Sequence, residues 1–172
     1  MDIDGTKIPI NYGLGDCYNV MDFKEIKDYS IFFNMLPLDW QESILPFWDV
    51  YKNSTKCYVL LDDEKLLAGG LVFSKCPPDM LYAKEEANVW FDKGYLYLGF
   101  IYVLEEKRGQ NLGSLWLSHL KNKFPKQKYW LTIEDEALHG FYTKNDFLKV
   151  KTLDNNGQKE ALYCFDGEIS EI

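Results

Sequence analysis

The stretch Glu105-Glu106-Lys107-Arg108-Gly109-Gln110-Asn111-Leu112-Gly113-Ser114-Leu115-Trp116-Leu117 decides how this chain is read. Just before it, Tyr95 to Leu104 is an aromatic and aliphatic run that reads as a buried strand. After it, Leu112, Leu115, Trp116, Leu120 and Phe124 recur at the spacing of one helix face, and Pro125 ends the pattern. The spacing predicts a helix of about 12 residues from Leu112. Strand, basic glycine turn and helix start together make a place for a phosphate. The first amides of a helix lack internal acceptors and carry partial positive charge. Gly109 and Gly113 allow close approach of the backbone, and Arg108 adds a cation. Taken alone, the same glycines also read as ordinary turn and packing residues.

Two phosphate motifs are excluded. No Gly-Lys-Ser/Thr follows the turn, so the lysine and hydroxyl of a P-loop are missing. The three glycines and distant acid of a dinucleotide fingerprint are missing too.

Composition bounds the rest. The 172 residues, 47% hydrophobic and with 11 Phe, 12 Tyr and 5 Trp, suit one domain over residues 1–172 with a substantial core. No window approaches the roughly 20 apolar residues of a membrane helix, so no membrane partner is expected. The first five residues lack the cationic and apolar segments of a signal peptide, and the expected location is cytoplasmic. Cys17, Cys57, Cys76 and Cys164 are scattered, and His119 and His139 are the only histidines. Reduced cysteines and no metal site are the expectation. A formal charge of −8 argues against nucleic acid and is compatible with a cationic small acceptor.

Working outward, Asp22 and Glu25 have capping-box spacing, and Phe23, Ile26, Ile31, Phe32 and Met35 predict a helix ending near Pro37. Asp39 with Glu42, then Trp40, Ile44, Phe47, Trp48 and Tyr51, predicts a second helix disturbed by Pro46. A strand near residues 8–20, broken by Gly13 and Gly15, is poorly marked. Cys57–Leu61 and Leu66–Lys75 flank Asp62–Lys65 as a hairpin. Gly69, Gly70 and Gly99 are candidate bulge positions. Tyr129–Ile133 is a further strand, a short helix runs through Tyr142 or Lys144, and Phe147–Leu153 and Glu160–Phe165 flank the hairpin signal Asn155-Asn156-Gly157. The order ααβββαβαββ, with room for another strand in front, predicts an α/β (α+β) fold: a mixed central sheet of six to seven strands with helices on both faces.

One strand beyond the turn lies Ala137-Leu138-His139-Gly140-Phe141-Tyr142-Thr143-Lys144-Asn145-Asp146-Phe147. With it, the chain resembles the GNAT superfamily of acyl-CoA N-acyltransferases. The family's cofactor turn, Arg/Gln-x-x-Gly-x-Gly/Ala, is matched by Arg108 to Ser114. Its downstream signature, Asn, Ala, then Leu-Tyr-x-Lys-x-Gly-Phe, is matched by Asp135, Ala137, Phe141, Tyr142, Lys144, Asp146 and Phe147. The resemblance covers roughly Cys57 to Phe165. Three positions depart: Asn111 replaces the usual middle glycine, Asp135 a frequent cofactor-contacting asparagine, and Asp146 the glycine before the last phenylalanine.

The resemblance implies a GNAT-like fold and acetyl-CoA as cosubstrate. The diphosphate would lie on Arg108, Gly109, Gln110, Asn111, Leu112, Gly113 and Ser114. Main-chain groups of Ile101, Tyr102 and Val103 would meet the pantetheine arm, with Asp135, Tyr142 and Lys144 completing the site. Tyr142 would be the acid beside the departing sulfur. The implied activity is transfer of the acetyl group to a primary amine by direct attack in a ternary complex, the acceptor being a small molecule or peptide. Monomer and homodimer both stay open. A non-catalytic acyl-CoA-binding sensor or interaction module of the same fold is the alternative. The strand Tyr95–Leu104 holds no carboxylate, so a base is not identified: Glu134 and Glu105 are candidates acting through water, and a backbone carbonyl or an already neutral amine would need no base residue.

Overall fold

Alternation along the strands sets the architecture. In β3 (Thr55–Asp62) the buried side chains Cys57, Val59 and Leu61 share one apolar cluster with Phe32, Phe33, Ile44 and Trp90. Between them, Tyr58 and Leu60 point to the other face and pack with Trp116, Leu117 and Leu120. Both faces of the sheet are therefore covered, as the apolar runs demand.

A computed structural model describes residues 8–10 and 19–167, with side chains from Met21 onward. The strands are β1 (Ile8–Ile10), β2 (Asn19–Ile26), β3, β4 (Lys65–Phe73), β5 (Tyr95–Val103), β6 (Lys128–Ile133), β7 (Leu148–Asn155) and β8 (Gln158–Phe165). Their order across the sheet is β1-β2-β3-β4-β5-β6-β8-β7. All neighbours are antiparallel except β5 and β6. The helices are α1 (Ser30–Phe33), α2 (Leu38–Ile44), α3 (Trp48–Tyr51), α4 (Lys84–Asp92), α5 (Leu112–Lys123) and α6 (His139–Lys144). The mixed sheet with helices on both faces is the expected one, seven principal strands being joined by the three-residue edge strand β1. Gly13, Gly15 and Cys17 lie outside the described residues, and Cys57, Cys76 and Cys164 are buried free thiols.

One expected helix is corrected. Asp22 to Ile26 is not a helix start but most of β2, paired with β3 from Met21↔Asp62 to Ile26↔Cys57. Met21 and Phe23 are buried while Lys24 is exposed, a period of two that the Asp22/Glu25 spacing disguised as a capping box. Helix follows only at α1, where Phe32 and Phe33 enter the core. The second helix does break at Pro46, becoming α2, a 3₁₀ turn over Leu45–Phe47 and α3. The helix from Leu112 has the expected 12 residues.

Two adjacent glycines in β4 let helices rest on the sheet. A methyl group at Gly69 would lie 2.6 Å from the Phe32 ring, and one at Gly70 would lie 2.7 Å from the Trp116 ring. The gap at Gly70 seats the fully buried Trp116, whose Nε1–H donates to the Tyr58 carbonyl at 2.9 Å. Helix α5 is thereby fixed to the sheet at Trp116.

Strand β5 carries the feature that opens the sheet. Gly69 pairs with Tyr102 and Leu71 with Gly99, so two residues, Phe100 and Ile101, oppose Gly70 alone. Phe100 takes φ +55, a left-handed conformation uncommon for a bulky side chain, whereas the expected bulge residue Gly99 merely precedes it. Parallel pairing with β6 covers only Tyr95–Tyr97. Beyond that point the two strands separate.

Candidate functional site

Leu98 to Val103 of β5 have no strand partner on the β6 side. Their edge lines two adjoining cavities. The larger, about 720 Å³, is walled by Ile101–Val103, Arg108, Gly109, Asn111–Ser114, Phe141, Tyr142 and Lys144. The other, about 460 Å³, lies between Tyr97–Ile101 and Leu131–Asp135 and reaches Asp79 and Glu160. Asp39, Trp40, Ile101, Leu138 and Tyr142 border both, so Tyr142 stands at the junction.

The larger cavity offers main-chain donors and positive charge. Gly109 has φ +81, and Asn111, the N-cap of α5, has φ +64 and ψ +21. Asn tolerates this left-handed conformation, which is how it replaces a glycine here. Among the described residues, no main-chain N–H from Gly109 to Ser114 has an acceptor. Gly109 and Asn111–Ser114 line one space together with the positive end of α5. Gly113 is closely packed: an added methyl would lie 3.0 Å from the Phe141 ring. Arg108 donates through Nε to the Val103 carbonyl at 3.2 Å and lies 5.1 Å over the Tyr102 ring. Lys144 brings a second cation to the wall. The donor set fits a diphosphate, and the free edge of Ile101–Val103 fits an extended amide chain.

Segment α5–α6 is tied together locally. Asn145 donates to Ser114 Oγ at 2.9 Å and to the Phe141 carbonyl at 2.8 Å. Asp146 adopts φ +69, reproducing the turn for which a glycine was expected. The Phe147 amide then bonds back to Tyr142 O at 3.0 Å. Lys121 donates to the Asn145 carbonyl and lies 3.8 Å from Asp146. Tyr142 is buried beside Phe141, Phe147 and Tyr163, and that burial pushes its phenol well above its ordinary value. It stays protonated at neutral pH and can donate.

The smaller cavity has the opposite character. Asp39, Asp79, Glu134, Asp135 and Glu160 line it, with no Lys or Arg. Glu160 is buried and accepts from the Tyr82 hydroxyl; burial, reinforced by Glu134, raises its carboxyl despite that bond. Burial pushes Asp79 up to about 6; its own amide and the Tyr97 hydroxyl offset part of this, and the negative Glu160 and Glu134 add to it. The Tyr97 hydroxyl lies 3.2 Å from Thr132 Oγ1.

Most residues expected at the site converge. Ile101, Tyr102, Val103, Arg108, Gly109, Asn111, Leu112, Gly113, Ser114, Tyr142 and Lys144 share one cavity. Gln110 is exposed and does not line it. Asp135 faces the smaller cavity instead, its carboxylate accepting from the Ala137 amide at 2.9 Å to cap a short turn. From the aromatic segment 32–51, Trp40 alone of the aromatics reaches the cavities, edge-on to Phe100 and Tyr102; Phe32, Phe33 and Tyr51 are core. Asp79 and Glu160 went unnoticed in the sequence. Glu160 did carry a signal, since it holds the buried phase of β8 with Leu162 and Cys164. Asp79 follows Pro77-Pro78 and reads as a helix-start acid.

Among the described residues, no helix is long and apolar enough to cross a membrane, and no group of three His, Cys, Asp or Glu is placed to hold a metal ion. A comparison with curated protein sequences gives no significant match. Solved structures share the fold at low identity. An aminoglycoside 6′-N-acetyltransferase complexed with coenzyme A is 12% identical, with a TM-score of 0.62 over 83% of this chain and 95% of that one. The ribosomal-protein-S18-alanine N-acetyltransferase of Escherichia coli is 14% identical, with a TM-score of 0.61 over 88% and 96%. An acyl-CoA N-acyltransferase from Pseudomonas aeruginosa is 14% identical, with a TM-score of 0.57 over 84% and 98%. The model of the acetyltransferase (GNAT) family matches residues 25–147, which span the bulged strand, the anion cradle and the junction tyrosine, and the chain belongs to that family.

Proposed function

We propose that this protein is a single-domain N-acetyltransferase that uses acetyl-CoA to acetylate a primary amine in a ternary complex. The observation that carries the reading is the continuity of the two cavities through Tyr142. One side offers unpaired amides and Arg108 to a diphosphate; the other offers carboxylates to a cation. Acetyl-CoA supplies an activated acyl group; the chain's residues hold and orient it. The amides from Gly109 to Ser114, Arg108 and Lys144 take the phosphates, and the free edge of Ile101–Val103 takes the pantetheine amides. Main-chain donors of the same edge polarise the thioester carbonyl. Tyr142 donates a hydrogen bond to the sulfur as it leaves.

The acidic lining favours an acceptor that arrives as an alkylammonium, and the −8 charge of the chain acts in the same direction. Proteins of this fold include one named for an aminoglycoside and one for a ribosomal-protein alanine, so small molecules and peptide amines both belong in the test. Calorimetry with acetyl-CoA, followed by thiol release across aliphatic amines, diamines, aminoglycosides and peptides, decides the matter. Tight acetyl-CoA binding with thiol release for at least one amine is expected. Binding without transfer to any of them would make the chain a cofactor-sensing module instead.

A further inference from the structure

The smaller cavity poses a proton problem that the junction tyrosine does not solve. An alkylammonium with a pKa of about 10.4 is almost wholly charged at pH 7, and presenting it as free amine costs about 4.6 kcal/mol. Carboxylates that merely surround it would deepen the cost by stabilising the charged form. One of them has to take the proton.

Four of the five carboxylates are poorly placed for this. Glu160 is 6% exposed and accepts from Tyr82, which leaves a captured proton no direct route to water. Asp135 is engaged as the cap of Ala137. Glu134 is set against Glu160. Asp39 stands on α2 beside Trp40, at the entrance shared with the larger cavity. Asp79 differs. It sits in the wall formed with Tyr97, Leu98, Gly99 and Phe100, next to the bulge where β5 turns from β6. Its carboxylate is near the Tyr97 hydroxyl, which continues to Thr132. The residue also keeps exposed surface, so a proton received from the cavity has an exit.

We infer that Asp79 is the proton acceptor for the amine, acting directly or through one water, with Tyr97 and Thr132 orienting it. This rests on the acetyltransferase reading above. The balance is complete. The ammonium gives one proton to the Asp79 carboxylate, and the neutral nitrogen forms the N–C bond at the thioester carbon. The C–S bond breaks, and the second proton leaving nitrogen ends on the sulfur, which Tyr142 stabilises. The products are the amide, a thiol and one proton released from Asp79 to water. The surroundings of Asp79 support the role: desolvation at the cavity wall and the negative Glu160 and Glu134 favour its proton-bound form, while it is still mostly ionised at pH 7.

The test is the pH profile of kcat/KM by thiol release between pH 5 and 9, with acetyl-CoA and 1,4-diaminobutane or the best amine of the panel. In the natural protein, kcat/KM is expected to rise to about pH 6 and then level. Asp79→Asn is expected to lose about 100-fold at pH 7. It should then climb tenfold per pH unit to pH 9, because it depends on amine already neutral in solution. Asp79→Glu should recover part of the loss at pH 7, and Glu160→Gln should move the acid limb to lower pH. Acetyl-CoA affinity by calorimetry should stay within twofold throughout. Asp79→Asn within threefold of the natural enzyme, or lowered by one factor at every pH, would overturn the assignment while leaving the acetyltransferase reading intact. A natural protein that binds acetyl-CoA but releases thiol with no amine would overturn both.

Discussion

The two cavities that meet at Tyr142 are made in different ways. The larger one is a main-chain device: a turn with positive φ at Gly109 and Asn111 brings Gly109 and Asn111–Ser114 to one space, and Arg108 and Lys144 add two cations. The smaller one is a side-chain device, collecting carboxylates from α2, the turn after β4, the end of β6 and β8. A cradle of amides is neutral, so it receives a strongly charged phosphate with little dependence on any single side chain. A pocket of carboxylates carries its own charge and its own titration. Binding should therefore be robust on one side, and specificity and pH response should reside on the other.

The sharpest way to break that comparison is to fill the amide cradle. Gly113→Glu places atoms where the Phe141 ring lies 3.0 Å from a Cβ and adds a negative charge. Acetyl-CoA affinity is expected to fall more than about 100-fold by calorimetry, with a normal circular-dichroism spectrum, since charge and volume act together. Retained affinity would remove the phosphate assignment. Next in size is Tyr142→Phe. Turnover should drop roughly 10- to 100-fold, the lower part of the range for a lost proton donor, while acetyl-CoA affinity changes less than about twofold. An unchanged kcat would show that the sulfur leaves without Tyr142.

Arg108→Ala should be milder, weakening acetyl-CoA about fivefold, because the amides remain and the guanidinium is an addition to them. A hundredfold loss would mean that the cradle depends on its cation after all. The smallest effect concerns stability. Asp79 has a carboxyl pKa of about 6 when folded against 3.8 as its reference. The folded state holds that proton more tightly. Its stabilising contribution is thus full below about pH 3.8 and is lost as pH rises through about 6. In thermal melts from pH 4 to 7, the natural protein should lose ground against Asp79→Asn. A parallel course of the two curves would show that water in the cavity screens the carboxyl completely.

The difference in construction also explains what could be read from the sequence. The amide cradle occupies Arg108 to Ser114 in unbroken order, and the residues that finish it, Phe141 to Lys144, lie one strand further on. Helix period, glycine spacing and a positive-φ asparagine are local facts, so that half was legible. The acidic cavity is assembled across the fold, and nothing near Asp79 in the chain signals its meeting with Tyr97 and Glu160. Only Glu160, out of place in a buried strand phase, could have given warning. The misread helix at Asp22 failed for a related reason. Two acids three residues apart suit a helix start and also fit a strand, and pairing with β3, some 35 residues away, settles which one forms.

The extra residue in β5 reaches further than the mouth it opens. Before it, odd-numbered Tyr95 and Tyr97 pack on the face covered by α1 to α4; after it, even-numbered Phe100 and Tyr102 do. Leu96 and Leu98, then Ile101 and Val103, take the opposite face by the same change of phase. Deleting one residue at position 99 or 100 would therefore restore a plain period of two, keeping Ile101, Tyr102 and Val103 on their present faces while letting the strand run on beside β6. The gap, in that sense, is an extra count held in place by Trp40, edge-on to Phe100, and by the tilted Phe73 ring on the same residue.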